Sequence, residues 1–251
     1  MKSKLWGLPL AAFLALAACS KDQQKQLDEN KVNVSLNTVV DGKPLVMSSG
    51  KYINANLDTF TVSMYKYYIS NIELTGTNGA KYVEEYSYHL IDAANDATLR
   101  FTMGKVPVGN YTHMKVVLGV DSLHNVSGAQ TGDLDPALGM FWSWNTGYIM
   151  AKIEGNSSQT NNSTNFISMH LGGFKGEFSA IRTVEFDLPQ PLIVEQGKLS
   201  TIHMQSDVMK WFNGSKNLSL AEYAVIGAAT EKSRDVVENY KNHLSITKIE
   251  N

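Results

Sequence analysis

Cysteine is almost missing from this chain of 251 residues, where a single one, Cys19, stands near the N-terminus. One thiol excludes an internal disulfide, and a structural zinc cage would need several. Charge is sparse too. Asp, Glu, Lys and Arg make up 18% of the chain and the formal net charge is −2, so no basic stripe exists to track a nucleic-acid backbone. Nucleic acid is therefore not an expected partner. The common catalytic signatures are also lacking: there is no Gly-x-Ser-x-Gly elbow, no HExxH and no phosphate-cradling loop. The expectation is a protein that is not an enzyme. Long apolar runs are confined to Leu8 through Ala18, which is too short to remain as a spanning helix.

What surrounds that run gives it meaning. Lys2 and Lys4 precede it, and LAAC (Leu16 to Cys19) closes it, the order of a bacterial lipoprotein signal. Residues 1–18 are read as the signal peptide and Cys19 as the lipidation site. Residues 19–30, mostly the polar SKDQQKQLDEN, form a lipidated flexible tether. The expected location is the cell envelope, with the chain lipid-anchored in the periplasm or on the outer membrane. Removing Lys2 and Lys4 leaves 20 of the 22 basic residues against 24 acidic ones. With Cys19 acylated no thiol remains, so residues 31–251 must hold together by core packing as one domain.

That domain is dominated by alternation. Val32, Val34 and Leu36 share a face, DGKPL turns the chain, and Phe60, Val62 and Met64 begin another period-two run. SMYKYYISNIEL (Ser63 to Leu74) extends that run to the turn signal GTNG, after which the pattern resumes from Tyr82 to Ile91. Leu99 to Met103 and Thr112 to Val120 read as a hairpin around VPVGNY. Further strands are expected at 148–154, 165–171, 182–188 and 199–208. Ala229 to His243 carries Val236, Val237 and Tyr240 at helical spacing, and SITKI offers a closing strand. The fold class is all-β: an antiparallel β-sandwich with a short C-terminal helix.

Candidate ligands are few. Histidine and methionine are adjacent three times, at His113–Met114, Met169–His170 and His203–Met204. Neighbours on a strand face opposite sides, so these pairs read as Met in the core and His outside, not as chelates. His124 in the loop GVDSLHNVSG and His170 before LGG occupy positions where binding groups are displayed. Asp121, Asp133 and Asp135 could offer oxygen to a cation, but their spacing favours turn chemistry. Trp142 and Trp144 lie in MFWSWNTGYIM (Met140 to Met150) and would share a face in an extended segment.

Taken in order, VDGKPL, KYYISNIEL, VPVGNYTHMKVVLGVDS, NVSGAQTGDLDPALGMFWSWNTGYIMAKIEG and MHLGGF resemble the MbnP-like family of exported copper-binding proteins, in its Bacteroidota-type lipoprotein branch. The resemblance runs from about Val32 to the C-terminus. It implies a β-sandwich involved in copper handling, a tryptophan oxidised to kynurenine that binds the ion together with histidines, and a dihaem cytochrome c peroxidase-like partner. On this chain the implied metal ligands fall on His124 and His170, the modified ligand on Trp142 or Trp144, and Met140 is a soft neighbour. The sequence departs from the proteobacterial branch in lacking cysteines, in having Gly173 where that branch has Ser, and in shifting the loop His by one position. The chemistry is coherent, because indole nitrogen only donates whereas kynurenine exposes an amine and a ketone. The rival reading is a metal-free surface module for structure, interaction or glycan binding, in which the same aromatics fill a core.

Overall fold

The computed structural model describes residues 30–128, 130–142 and 147–251. The signal peptide, Cys19, nearly all of the tether and Trp144 lie outside the described residues. Asn30, assigned to the tether, already belongs to the fold: it is buried, and its carbonyl accepts the amide of Val106 at 3.3 Å. No described helix is long and apolar enough to cross a membrane.

Fourteen strands are found among the described residues. The first seven are β1 (Lys31–Val40), β2 (Lys43–Pro44), β3 (Tyr52–Ile53), β4 (Thr59–Gly76), β5 (Lys81–Val83), β6 (Tyr88–Asp92) and β7 (Arg100–Gly104). The rest are β8 (Gly109–Leu118), β9 (Ile149–Asn156), β10 (Phe166–Gly172), β11 (Arg182–Val194), β12 (Leu199–Asp207), β13 (Val225–Ile226) and β14 (Leu244–Glu250). They form two sheets. The smaller runs β14-β12-β1-β2 with β7 also on β1, and the larger runs β11-β8-β4-β9-β10-β13 with β3, β5 and β6 on β4. The all-β sandwich is as expected, with one qualification: β1 runs parallel to β12, and β13 parallel to β10.

Alternation builds the core. Val32, Val34 and Leu36 of β1 are buried, as are Met114, Val116, Leu118 and Val120 from β8 onward. Asp41 and Gly42, with φ of 52° and 74°, turn β1 into β2, the left-handed pair that a two-residue hairpin needs. On β4 the pairing with β9 slips between Val62 and Met64, so the inward face passes from Phe60 and Val62 to Tyr65 and Tyr67, leaving Met64 only half-buried.

The hairpin expected around VPVGNY is not formed. β7 pairs with β1 in the smaller sheet, whereas β8 lies between β4 and β11 in the larger. Both strands press an apolar face onto the same core from opposite sides. The chain therefore crosses between sheets through buried Val106, and Pro107 has no amide to continue a ladder.

One arrangement positions everything functional. β8 pairs with residues 69–76 of β4 and β9 with residues 61–67, both antiparallel, so β9 prolongs the line of β8. The chain between them, 119–148, leaves the sheet and its described parts lie over the outer face. Tyr68 Oη donates to the Asp133 carbonyl at 2.9 Å, Tyr148 Oη to the Leu134 carbonyl at 2.6 Å, and Lys152 Nζ to the Gly139 carbonyl at 3.1 Å. The layer is thus tied down from below by Tyr68 of β4 and Lys152 of β9 and braced within itself by Tyr148.

The C-terminal third closes one end. The helix Glu231–Tyr240 starts from Thr230 in a capping box with Ser233 and buries Val236, Val237 and Tyr240. Beyond it the expected closing strand is β14, which pairs with β12.

Candidate functional site

The insertion opens with a single helical turn, α1 (Ser122–Asn125), capped by Asp121, whose Oδ1 accepts the amides of Leu123 and His124 at 3.0 and 3.1 Å. This cap turns the His124 ring back onto its own carboxylate. Nδ1 lies 3.1 and 3.2 Å from the two Asp121 oxygens and 2.5 Å from Tyr88 Oη on β6. Tyr88 also donates its hydroxyl proton to Asp121 Oδ2, and Asn71 Nδ2 donates to the same oxygen at 3.4 Å. Burial alone would raise the Asp121 pKa, but the bonds from Tyr88, His124 and Asn71 outweigh it and hold the carboxyl at about 2. Burial, reinforced by the Asp121 contact, keeps the Tyr88 phenol protonated well above its ordinary range.

Beside this cluster opens a cleft of about 540 Å³ lined by Tyr86, Tyr88, His124, Gln130, Asp133 and Leu134 among others. Asn125 fastens the insertion from within. Its amide donates to the carbonyls of Val120 (2.5 Å) and Asp121 (3.0 Å), and its Oδ1 accepts the amide of Tyr148 at 2.8 Å.

His170 sits elsewhere. It lies on β10 opposite Lys152, which lies opposite Lys66 on β4, and its Nε2 is 2.8 Å from Glu154 Oε1 and 3.3 Å from Ser168 Oγ. Burial lowers its pKa, with the Glu154 bond opposing. Tyr88 lies opposite Ser70, four residues further along β4 and three strands across from His170, roughly 13 Å in one direction and 14 Å in the other. The structure does not bring the His124 and His170 imidazoles together, and no group of three or more His, Cys, Asp or Glu able to hold a metal is found among the described residues.

Of the tryptophan pair, Trp142 is buried, and its ring packs on Gly172, two residues beyond His170. Trp142 N donates to the Gly147 carbonyl at 3.1 Å and Phe141 bridges Tyr148, so the segment folds back on itself at the head of β9. Met140 is wholly buried. Its thioether belongs to the core, not to the surface of a cleft.

The His–Met pairs are arranged as the alternation implied: Met114, Met169 and Met204 are buried, while His113 faces Glu185 and Asp187, and His203 faces Glu250. Asp121 and Asp135 cap one-turn helices, and Asp133 accepts the amide of Leu90 at 2.9 Å, which is turn and loop chemistry. Sequence reading missed Tyr88. Nothing local in YSYHLID links it to a histidine 36 residues later; only the pairing of β6 with β4 does so.

A two-sheet sandwich whose outer face carries a tied-down insertion, with a compact His, Asp and Tyr cluster at one end, defines a β-sandwich protein with a candidate site on a loop layer. The chain belongs to the MbnP family, whose profile, described as MbnP, matches residues 29–231. That family is copper-related, and copper handling is the coarse function membership supports. Among solved structures, MbnP from Methylosinus trichosporium is similar, with 14% identity, a TM-score of 0.46, and coverage of 72% of this chain and 76% of that one. No curated protein sequence matches the chain significantly.

Proposed function

We propose that this protein is an exported, lipid-anchored copper-handling protein that binds the metal without performing catalysis, and that the ion is taken at the His124 end of the insertion. The observation that carries this reading is the convergence of the His124 ring, the Asp121 carboxylate and the Tyr88 phenol beside an open cleft. A half-exposed imidazole held between a carboxylate and a phenol is fixed in orientation, which is what a metal-binding histidine requires. When bound, copper would supply ligand exchange and one-electron chemistry; the chain's part is to hold, orient and shield it.

The finer parts of the reading rest on other supports. Anchoring through Cys19 follows from the signal-like N-terminus, and a dihaem cytochrome c peroxidase-like partner and the oxidation of Trp142 or Trp144 follow from the family resemblance. A site shared by His124 and His170 has no support in their separate surroundings. A metal-free docking surface is the second reading, favoured by Tyr86, Leu123 and Val126, which are 92%, 70% and 65% exposed near the cleft.

The decisive experiment is metal analysis with intact mass spectrometry on protein from its native host, repeated on purified protein loaded with copper. The expected result is copper retained by the wild type and lost in His124→Ala. No copper in either, with an unmodified mass, would leave only the docking reading standing.

A further inference from the structure

Resting on the copper reading above, we propose that Tyr88 and Asp121 are themselves ligands, which with His124 Nδ1 form an oxygen-rich site for the oxidised, cupric ion. Three donor groups from two places in the chain, the capped turn α1 and β6, meet within a small triangle. Nδ1 stands 3.1 and 3.2 Å from the carboxylate oxygens and 2.5 Å from the phenol oxygen, and the phenol in turn touches Oδ2. A metal with bonds of about 2.0–2.1 Å and ligand angles between square and tetrahedral sets neighbouring donors roughly 2.9–3.3 Å apart. The His124–Asp121 side of the triangle already has that size, while the Tyr88 phenol stands closer to both and would draw back to admit an ion. An ion would take the place of the Tyr88 proton, which would leave to solvent, while the imidazole would bind through Nδ1 with its one N–H on Nε2, and Asp121 is anionic already.

The donor set decides the oxidation state. One imidazole with carboxylate and phenolate oxygen suits Cu(II), whereas Cu(I) seeks thioether or thiolate. The thioethers that could have tipped the balance are turned away: Met140 is sealed in the core, and Met150 sulfur accepts the amide of Val120 at 3.2 Å. Tyr88 and His124 also line the cleft, which leaves open positions for water or an exchanging ligand. Asn71, donating to Asp121 Oδ2, steadies the carboxylate.

The test is titration of the full-length chain with Cu(II), and separately with Cu(I), followed by visible absorption, electron paramagnetic resonance and proton release. The wild type is expected to show a phenolate-to-copper charge-transfer band and release of the Tyr88 proton on loading. Tyr88→Phe should lose the band and weaken Cu(II) binding by at least about tenfold. Asp121→Asn keeps a side-chain oxygen able to cap α1 but sets an amide where Tyr88 and Asn71 now donate, so it should weaken binding with a modest fall in thermal midpoint and no loss of fold. If Cu(II) binds without that band, or Tyr88→Phe changes nothing, Tyr88 and Asp121 only orient the ring and the proposal fails. If Cu(I) alone binds, the proposal fails while the copper reading survives, and if neither ion binds both fall.

Discussion

The indole of Trp142 lies directly over the α-carbon of Gly172, so close that a β-carbon built there would fall 2.1 Å from Cζ3 of the ring. The contact joins the insertion to β10 and explains why HLGG needs its first glycine. Gly172→Ala is expected to force the ring away and destabilise the fold by about 1–3 kcal/mol, the usual cost of overpacking. Urea unfolding followed by tryptophan fluorescence reads both effects, and an unchanged midpoint and spectrum would contradict the packing described.

Asn125 does for the other end of the insertion what Trp142 does for this one. Asn125→Ala would leave the Tyr148 amide and the Val120 carbonyl without partners in a buried setting, for a loss of about 2 kcal/mol. Hydrogen exchange should show the Tyr148 amide losing protection far more than amides of β1 and β12. Uniform loss across the sandwich would mean that the insertion is not a separately fastened layer.

His243 gives a pH dependence with a definite sign. It is buried between Tyr67 and Tyr240, and burial pushes its pKa down to about 3, against the bond to the Tyr240 carbonyl. The unfolded chain titrates this group near 6.5, so between that value and about 3 the unfolded state binds the extra proton. The contribution is fully present above pH 6.5 and is lost as pH falls, at up to about 1.4 kcal/mol per pH unit. His243→Phe should flatten the difference between urea midpoints at neutral and mildly acidic pH. An identical slope in the variant would assign the acid sensitivity to other groups.

His170 supplies the control for the metal site. Three strands and four residue positions separate it from the Tyr88 cluster, so its removal should not be felt there. His170→Gln is expected to leave copper affinity within about twofold of the wild type, since distant substitutions act independently. A loss of affinity as large as that of His124→Ala would restore a site spanning both histidines.

Some of this was legible in the residues alone. The burial of Val32, Val34 and Leu36 and of the β8 methionine face follows from period-two alternation, and the Thr230 helix start from capping chemistry; both are local. The lateral relations were not. VPVGNY looks like a hairpin connection and is a crossing between sheets, and His124 and His170, which the family resemblance pairs as ligands, stand on separate parts of the larger sheet. Their anchoring strands are set by long-range pairing that no local pattern encodes.

The sequence by itself determined which faces are apolar, where turns fall and how few ligand-competent side chains exist, because these depend on each residue's own chemistry and its near neighbours. Only the tertiary structure decided which of those side chains meet. β4 is long enough to hold β6 on one edge and β8 and β9 on the other, and that sharing brings Tyr88 of β6 to Asp121 and His124, which follow β8, while leaving His170 with Glu154 beyond β9.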